Sequence, residues 1–254
     1  IRIYRRKELL ENYPVIEEFL QKLLEQSNKL ISFLYINEDK PNKESVVLTY
    51  DSRKLLSLKD KYFANGIDLV VTSPPYATAL PYIDTDRLSL FFLNLIKKKE
   101  RKSLEYEMVG NREITNSMRA DYERKLLKND ENLPKDIHQL IMKIKRMNNK
   151  SEVGFRKLNT AALLYKYFTD MKLIMENIFL LLNKKGNFLI VIGNNYTNAG
   201  EDRVDIFTDR LLESIATQIG YIVKTPIDIT VTAQNLAHMK NFIKENQVLV
   251  LEKR

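Results

Sequence analysis

The sequence predicts an α/β protein with a mostly parallel sheet. Two short apolar runs rich in β-branched residues, 45–50 and 67–71, read as buried strands. A helix-length segment, 54–63, separates them, which is the pattern of a strand–helix–strand crossover between parallel neighbours. Further on, helical and strand-like segments continue to alternate, so the prediction extends to the C-terminus.

The later elements are predicted from the spacing of apolar residues and from the glycine and proline residues between segments. Residues 163–182 predict a long amphipathic helix that ends at an Asn-Lys-Lys-Gly sequence, and 187–193 predict the next buried strand. A helix at 206–219 stops at Gly220. The remaining predicted strands are 221–224, 228–231 and, last in the chain, 246–251.

The first 44 residues predict a separate helical segment. Apolar residues recur at helical spacing through residues 1–35, so we expect one amphipathic helix or two, divided near Pro14. Residues 37–44 are polar and contain Pro41, which favours a loop. The sequence begins at Ile1 rather than methionine, and we expect the N-terminal part of the fold to be incomplete.

Composition limits the classes of protein. A chain of 254 residues, 44% hydrophobic, is long enough for one large or two small domains. The net charge of +8 favours a polyanionic partner. With no cysteine and two histidines, disulfides, cysteine metal sites and a histidine-rich metal centre are not expected. The sequence shows neither a membrane-length apolar stretch nor a secretory signal, so we expect a cytoplasmic protein.

The most specific motif is Thr72-Ser73-Pro74-Pro75-Tyr76, directly after the strand 67–71. Proline lacks an N–H group and has a fixed φ, so the two prolines present carbonyl oxygens in a rigid loop beside the Ser73 hydroxyl and the Tyr76 ring. Acceptors beside an aromatic face suit the exocyclic amino group of an extruded nucleobase. The same string also occurs in ordinary turns, and on its own the motif does not decide between the two.

Ser-Pro-Pro-Tyr at a strand end resembles the catalytic loop of S-adenosylmethionine-dependent DNA amino-methyltransferases. Residues 72–95 and 106–113 resemble one branch of that family, and the predicted strands and helices after residue 163 match the second half of its Rossmann-like sheet. The resemblance implies that Ser73, Pro74, Pro75 and Tyr76 are catalytic, with Ser73 and the Pro74 carbonyl accepting the amino hydrogens and Tyr76 stacking on the base. A serine in first place resembles the cytosine 4-amino enzymes more than the adenine 6-amino enzymes. The absence of cysteine excludes a cysteine nucleophile, as used by cytosine C5 enzymes.

The resemblance also implies a cofactor site for S-adenosylmethionine. An acidic residue at the position of Asp51 binds the cofactor's adenine in that family, and Ser52, Thr72 and Ser73 would lie beside it. Asp51 is equally well placed to cap a helix N-terminus. The family's glycine-rich cofactor turn is missing, since all seven glycines are isolated. We therefore expect an upstream segment or a second polypeptide to supply that turn, and this chain alone to bind the cofactor poorly.

The basic charge is concentrated in residues 97–157. By our count this segment holds 17 basic and 10 acidic residues, an excess of seven that nearly equals the net charge of the chain. We expect a largely helical insertion, broken at Pro134, that recognises double-stranded DNA between two parts of a catalytic domain, 45–96 and 158–254. A solvated helical excursion is the alternative. The predicted DNA contacts are Arg101, Lys102, Arg112, Arg119, Lys143, Lys145 and Arg146.

Two further alternatives remain open at this point. An RNA or tRNA base methyltransferase would use the same loop, and a non-catalytic nucleic-acid-binding subunit would explain the missing glycine turn. The restriction–modification setting typical of the family is an expectation of the same kind. Asp84, Asp86 and Arg87 could close over a base or brace the loop, and we favour bracing.

Overall fold

A computed structural model of the protein describes residues 12–38, 45–77, 82–150, 153–230 and 245–254. The chain divides into two compact units, Ile1–Thr49 and Tyr50–Arg254. The first contains helix α1 (Val15–Ile36), which begins directly after Pro14, and none of its residues is buried. The predicted N-terminal helix is thus confirmed from Pro14 onward, whereas its part within residues 1–11 lies outside the described residues.

The second unit holds the remaining elements. A 3₁₀ helix, Ser52–Leu58, runs into the short helix α2 (Lys59–Tyr62). The strands are β1 (Ile67–Thr72), β2 (Leu182–Gly193), β3 (Asn195–Ala199), β4 (Asp202–Ile206), β5 (Tyr221–Val223), β6 (Ile227–Thr230) and β7 (Glu245–Lys253). The other helices are α3 (Tyr82–Phe92), α4 (Arg101–Glu107), α5 (Asn116–Lys128), α6 (Lys135–Lys150), α7 (Phe155–Leu181) and α8 (Thr208–Ile219).

The main sheet has the order β1-β2-β7-β5, with β6 also paired to β7. β1 and β2 are parallel, and β7 is antiparallel to β2, β5 and β6. The α/β class and the antiparallel terminal strand are confirmed. The expected mostly parallel pairing is wrong for the described sheet, because the reversed strand lies between β2 and β5 and makes three of the four pairings antiparallel.

The predicted strand at residues 45–50 is absent. Val46 and Val47 are 61% and 94% exposed. β1 pairs with β2, and no other described strand pairs with it. An apolar run becomes a strand only where a neighbour completes its hydrogen bonds and a second layer covers it. The predicted crossover is therefore not formed, although its helical middle is present as the 3₁₀ helix and α2.

One face of the sheet packs against α7 and α8. Phe188, Ile190 and Leu249 from β2 and β7 are fully buried there, in one core cluster with residues of both helices. α7 begins eight residues earlier than predicted and ends at Leu181, where the chain passes directly into β2. Gly186 belongs to that strand, and a Cβ there would lie 2.9 Å from the Ile67 carbonyl oxygen, so the tight approach to β1 requires glycine.

The segment between β1 and α7 is helical, as expected, and Pro134 lies between α5 and α6. The β3–β4 hairpin was not predicted, because its polar strands carry little apolar alternation. Among the described residues, none of the helices is long and apolar enough to cross a membrane.

Candidate functional site

The motif Ser73–Tyr76 forms an irregular loop at the carboxyl end of β1, as predicted. Ser73 is exposed, and Pro74, Pro75 and Tyr76 are half-buried. The Ser73 hydroxyl makes no hydrogen bond with any described residue. Its oxygen is therefore available to accept a hydrogen bond from a ligand.

Three hydrogen bonds from different elements hold the end of this loop. The Tyr76 N–H donates to the hydroxyl oxygen of Tyr82 on α3 at 2.9 Å. The Tyr76 hydroxyl donates to Asn246 Oδ1 on β7 at 3.2 Å. The side-chain amide of Asn195 on β3 donates to the carbonyl of Ala77, which is fully buried. The loop is thus fixed by a helix and two strands that are distant in sequence.

A tight turn at Met108–Arg112 lies directly against the loop. Gly110 has φ +74°, and a Cβ there would lie 2.8 Å from Pro75 Cβ and 3.2 Å from the Tyr76 carbonyl oxygen. Glycine is required for both reasons, since other residues rarely adopt this φ and the added carbon would have no room. This contact gives a structural role to the segment 106–113, which the sequence left without one.

Three buried polar atoms near the loop have no partner among the described residues. They are Tyr167 Oη on α7, Asn195 Oδ1 and Glu105 Oε2 on α4. Burial raises the pKa of Tyr167, and the nearby Tyr82 and Tyr76 hydroxyls add to the effect. Burial likewise raises the pKa of Glu105, whose other oxygen accepts the Arg112 N–H at 3.3 Å. Burial thus favours the protonated, uncharged forms of Tyr167 and Glu105.

Asp51 caps the 3₁₀ helix and binds Arg53. Its Oδ1 accepts the Arg53 N–H at 3.0 Å, and its Oδ2 accepts Arg53 Nη2 at 2.9 Å. Hydrogen bonds from the Arg53 guanidinium lower the pKa of Asp51, and the same bonds raise the pKa of Arg53. The capping role is thus present, and Ser52 follows as the first residue of that helix.

Asp84, after the loop, joins α3 to α4. Asp84 Oδ1 on α3 accepts a hydrogen bond from Arg101 Nη1 on α4 at 2.8 Å, and Arg87 Nη1 lies 3.9 Å from the same oxygen. Asp86 is exposed. The preference for bracing over base contact is supported for Asp84 and Arg87.

The seven predicted DNA-contacting residues separate into two groups. Three are engaged inside the protein: Arg101 with Asp84, Arg119 with Asn159 and the Phe155 ring, and Lys145 with Glu123. The other four are exposed and form no ion pair with a described carboxylate: Lys102, Arg112, Lys143 and Arg146. Lys143 and Arg146 are three residues apart on α6 and so share one face.

The residues present suit one half of the implied cofactor. The Asp51 side chain is 32% exposed and keeps acceptor capacity toward an adenine amino group. The methionine half of S-adenosylmethionine requires close backbone approach, and no glycine-rich turn occurs in the sequence. Thr72 ends β1 at the base of the loop. Among the described residues, no group of three histidine, aspartate or glutamate side chains is arranged to hold a metal ion.

Sequence reasoning missed four residues that contact the loop, the Met108–Arg112 turn or Arg53: Tyr82, Asn195, Lys166 and Asp170. Lys166 and Asp170 are separated by one helical turn in the largely buried middle of α7, and charged residues among apolar neighbours in the predicted helix were the available signal. Asn195 follows the strand end that the sequence did indicate. Tyr82 had no distinguishing signal.

Comparison with known proteins gives a partial likeness. No family model matches the chain. It is 28% identical over 182 residues to the Type II methyltransferase M.AvaI of Nostoc sp. and equally to that of Anabaena variabilis, a match covering 66% of this chain. The chain spans about a third, 34%, of the length of these relatives.

Among solved structures, the chain matches TTHA0409 of Thermus thermophilus, a protein provisionally described as a DNA modification methylase. The TM-score is 0.38 at 14% identity, covering 80% of this chain and 52% of that one. The form of TTHA0409 complexed with S-adenosyl-L-methionine gives 0.38 at 15% identity. The chain is thus similar in sequence to Type II methyltransferases over two thirds of its length.

Proposed function

We propose that this chain is the base-binding part of a DNA amino-methyltransferase, which moves a methyl group from S-adenosylmethionine to the exocyclic amino group of a flipped base. The observation that carries the proposal is the Ser73–Tyr76 loop, fixed at a strand end with the Ser73 hydroxyl exposed. The likeness to Type II methyltransferases supports the same assignment and favours a restriction–modification setting. We favour the cytosine 4-amino group over the adenine 6-amino group, because the motif begins with serine.

The chain's own residues would act on the base before any transfer. Ser73 Oγ and the Pro74 carbonyl accept hydrogen bonds from the two N–H groups of the base's amino group. These bonds draw the nitrogen lone pair out of conjugation with the ring, so that it can attack a methyl group. The Tyr76 ring stacks on the extruded base. This contact offsets part of the free energy of unstacking the base, roughly a few kcal/mol. S-adenosylmethionine, when bound, would supply an electrophilic methyl group, and the amino nitrogen that accepts it would release one proton to water. No covalent intermediate with the protein is needed.

The substrate surface is assigned to the exposed cations. Lys102, Arg112, Lys143 and Arg146 would neutralise phosphates of double-stranded DNA, whereas the three internally paired cations would serve the fold. Asp51 would receive the cofactor's adenine. An upstream segment or a second polypeptide would supply the glycine-rich turn, and this chain alone would bind the cofactor weakly.

A methylation assay tests the proposal. The protein, purified with any polypeptide that accompanies it, is incubated with S-adenosylmethionine and matched duplex DNA or RNA, and the nucleosides are analysed by mass spectrometry. We expect a methylated cytosine 4-amino group in DNA only. Methylated RNA would support the RNA methyltransferase alternative instead. If neither DNA nor RNA is methylated, a non-catalytic binding subunit is favoured, which would also explain the missing glycine-rich turn.

Two substitutions test the residue roles. Ser73→Ala should reduce methyl transfer by roughly a hundredfold or more, the usual cost of losing an aligned polar group at a reacting centre. Tyr76→Ala should reduce it by roughly ten- to a hundredfold through lost stacking on the base. DNA affinity should change far less in both variants. Ser27→Ala, at an exposed position on α1, is the matched control. Equal losses of transfer and DNA affinity would contradict these roles.

A further inference from the structure

A buried ion pair on α7 contacts the Met108–Arg112 turn that lies against the Ser73–Tyr76 loop, and it has no part in the proposed chemistry. Lys166 is 5% exposed, and its ammonium donates to Asp170 Oδ2 at 2.6 Å, one helical turn away. A buried ion pair is weak support for stability, because desolvation consumes most of the attraction, and apolar residues of similar volume usually serve the fold as well. The pair therefore calls for a role other than stabilising the core.

Lys166 makes a second contact that leads to the loop. Its ammonium donates to the carbonyl oxygen of Met108 at 2.9 Å. Met108 begins the turn in which Gly110 lies against Pro75 and the Tyr76 carbonyl. The ammonium thus ties the turn to α7, and the position of the turn limits where the loop's main chain can lie.

Asp170 makes a second contact that leads to Asp51. Its Oδ1 accepts Arg53 Nη1 at 3.2 Å, while Arg53 Nε and Nη2 bind the Asp51 carboxylate. The Arg53 carbonyl accepts the side-chain amide of Asn177, also on α7, at 2.7 Å. The Arg53 side chain and main chain are therefore both fixed to the helix that carries the ion pair.

These contacts form one continuous path of alternating charge, Asp51–Arg53–Asp170–Lys166, that ends at the Met108 carbonyl. We propose that Lys166 and Asp170 are positioning residues, which hold the base-binding loop through the Met108–Arg112 turn and the Asp51 carboxylate through Arg53. The inference rests on the proposed function for the roles of the loop and of Asp51. Neither residue of the pair touches substrate in this proposal.

Amide hydrogen exchange tests the proposal on the chain itself. The reporters are the amides of Tyr76, Arg112 and Arg53, each of which donates to a side chain at the positioned parts. In Lys166→Met we expect exchange at Tyr76 and Arg112 to rise at least tenfold relative to the β2 core amides. The matched control is Lys128→Met, at an exposed lysine of α5 outside the proposed DNA-binding surface, which should change none of them.

A double variant separates positioning from general destabilisation. Lys166→Met with Asp170→Leu removes both buried charges, so we expect its melting temperature to return close to that of the parent. The amides of Tyr76 and Arg112 should still exchange fast, and exchange at Arg53 should now rise as well, because Met108 has lost its contact with Lys166 and Arg53 its contact with Asp170. Recovery of slow exchange together with the melting temperature would overturn the proposal, as would unchanged exchange in both variants.

Two provisions keep the test decisive. If Lys166→Met does not fold, the double variant alone is compared with the parent, and the same two outcomes apply. The exchange measurement needs neither methyl donor nor DNA. Failure of methyl transfer would therefore count against the proposed function and leave the positioning result standing, and the reverse also holds.

Discussion

Replacing Gly110 by alanine is the sharpest perturbation of the loop that leaves every loop residue unchanged. Gly110 has φ +74°, and adopting the left-handed region costs a non-glycine residue about 1–2 kcal/mol. The new Cβ would also lie 2.8 Å from Pro75 Cβ and 3.2 Å from the Tyr76 carbonyl oxygen. Overpacking of this kind costs about 1–3 kcal/mol, so the two effects together predict a loss of about 2–5 kcal/mol in the free energy of unfolding.

Urea denaturation of the parent and the variant measures this loss directly. Gly154→Ala is the matched control, because Gly154 precedes α7 with φ −66° and a Cβ there would meet nothing within 4 Å. Alanine lowers the entropy of the unfolded chain but is a poorer N-cap than glycine, so the control should remain within about 0.5 kcal/mol of the parent.

The Gly110→Ala variant could also relieve the clash by a local shift of the turn, without a loss of global stability. If the Met108–Arg112 turn moves away from Pro75, part of the cost appears as faster exchange of the Tyr76 amide rather than as lower stability. The opposite result would be a Gly110→Ala variant that matches Gly154→Ala in stability and keeps that amide as protected as in the parent. The turn would then have no part in fixing the loop.

The remaining predictions concern the loop's neighbours and the basic surface. Tyr82→Phe should lower the free energy of unfolding by roughly 1–3 kcal/mol, since the amide it accepts from loses its partner; a change below measurement error in urea denaturation would contradict this. Lys143→Gln with Arg146→Gln should reduce the salt dependence of DNA binding by about two released counterions, whereas Lys145→Gln should change stability and leave the slope unchanged; equal slopes for both would remove α6 from the interface. Glu105 has a raised pKa, so the folded state holds its proton more tightly, and its contribution is fully present below the ordinary value of 4.5 and lost as pH rises through the folded value. Glu105→Gln should therefore flatten the fall in stability above pH 4.5, and a stability profile with the same slope as the parent would exclude this group.

The sequence was sufficient where chemistry is local. Proline fixes φ and removes a donor wherever it stands, so the rigid loop after β1 was predictable from Pro74 and Pro75 alone. Gly220 likewise ends α8 in the left-handed conformation, as its position indicated. These features depend on a few adjacent residues and are not altered by the rest of the fold.

Features that depend on contacts between distant parts of the chain could not be predicted from the sequence. Residues 45–50 have strand composition but lack a described neighbour, and strand formation is a property of the pair rather than of the segment. Lys143 and Lys145 are two residues apart on the same helix, yet one is exposed and the other paired with Glu123. A count of basic residues cannot separate them, because the difference lies in which face α5 and α7 cover.

The distribution of hydrogen bonds around the loop supports its assignment as a ligand-binding element. Tyr76 and Ala77 are held by three hydrogen bonds from α3, β3 and β7, whereas the Ser73 hydroxyl has no described partner. A turn that served only the fold would gain nothing from an exposed hydroxyl without a partner among the described residues, next to main-chain atoms held by three hydrogen bonds. An acceptor for a reacting group gains on both counts, because it avoids breaking an existing hydrogen bond and reorganising its backbone when the ligand arrives. In the same way, the buried Lys166 ammonium is tethered to the Met108 carbonyl of the neighbouring turn and leaves the Ser73 hydroxyl unengaged.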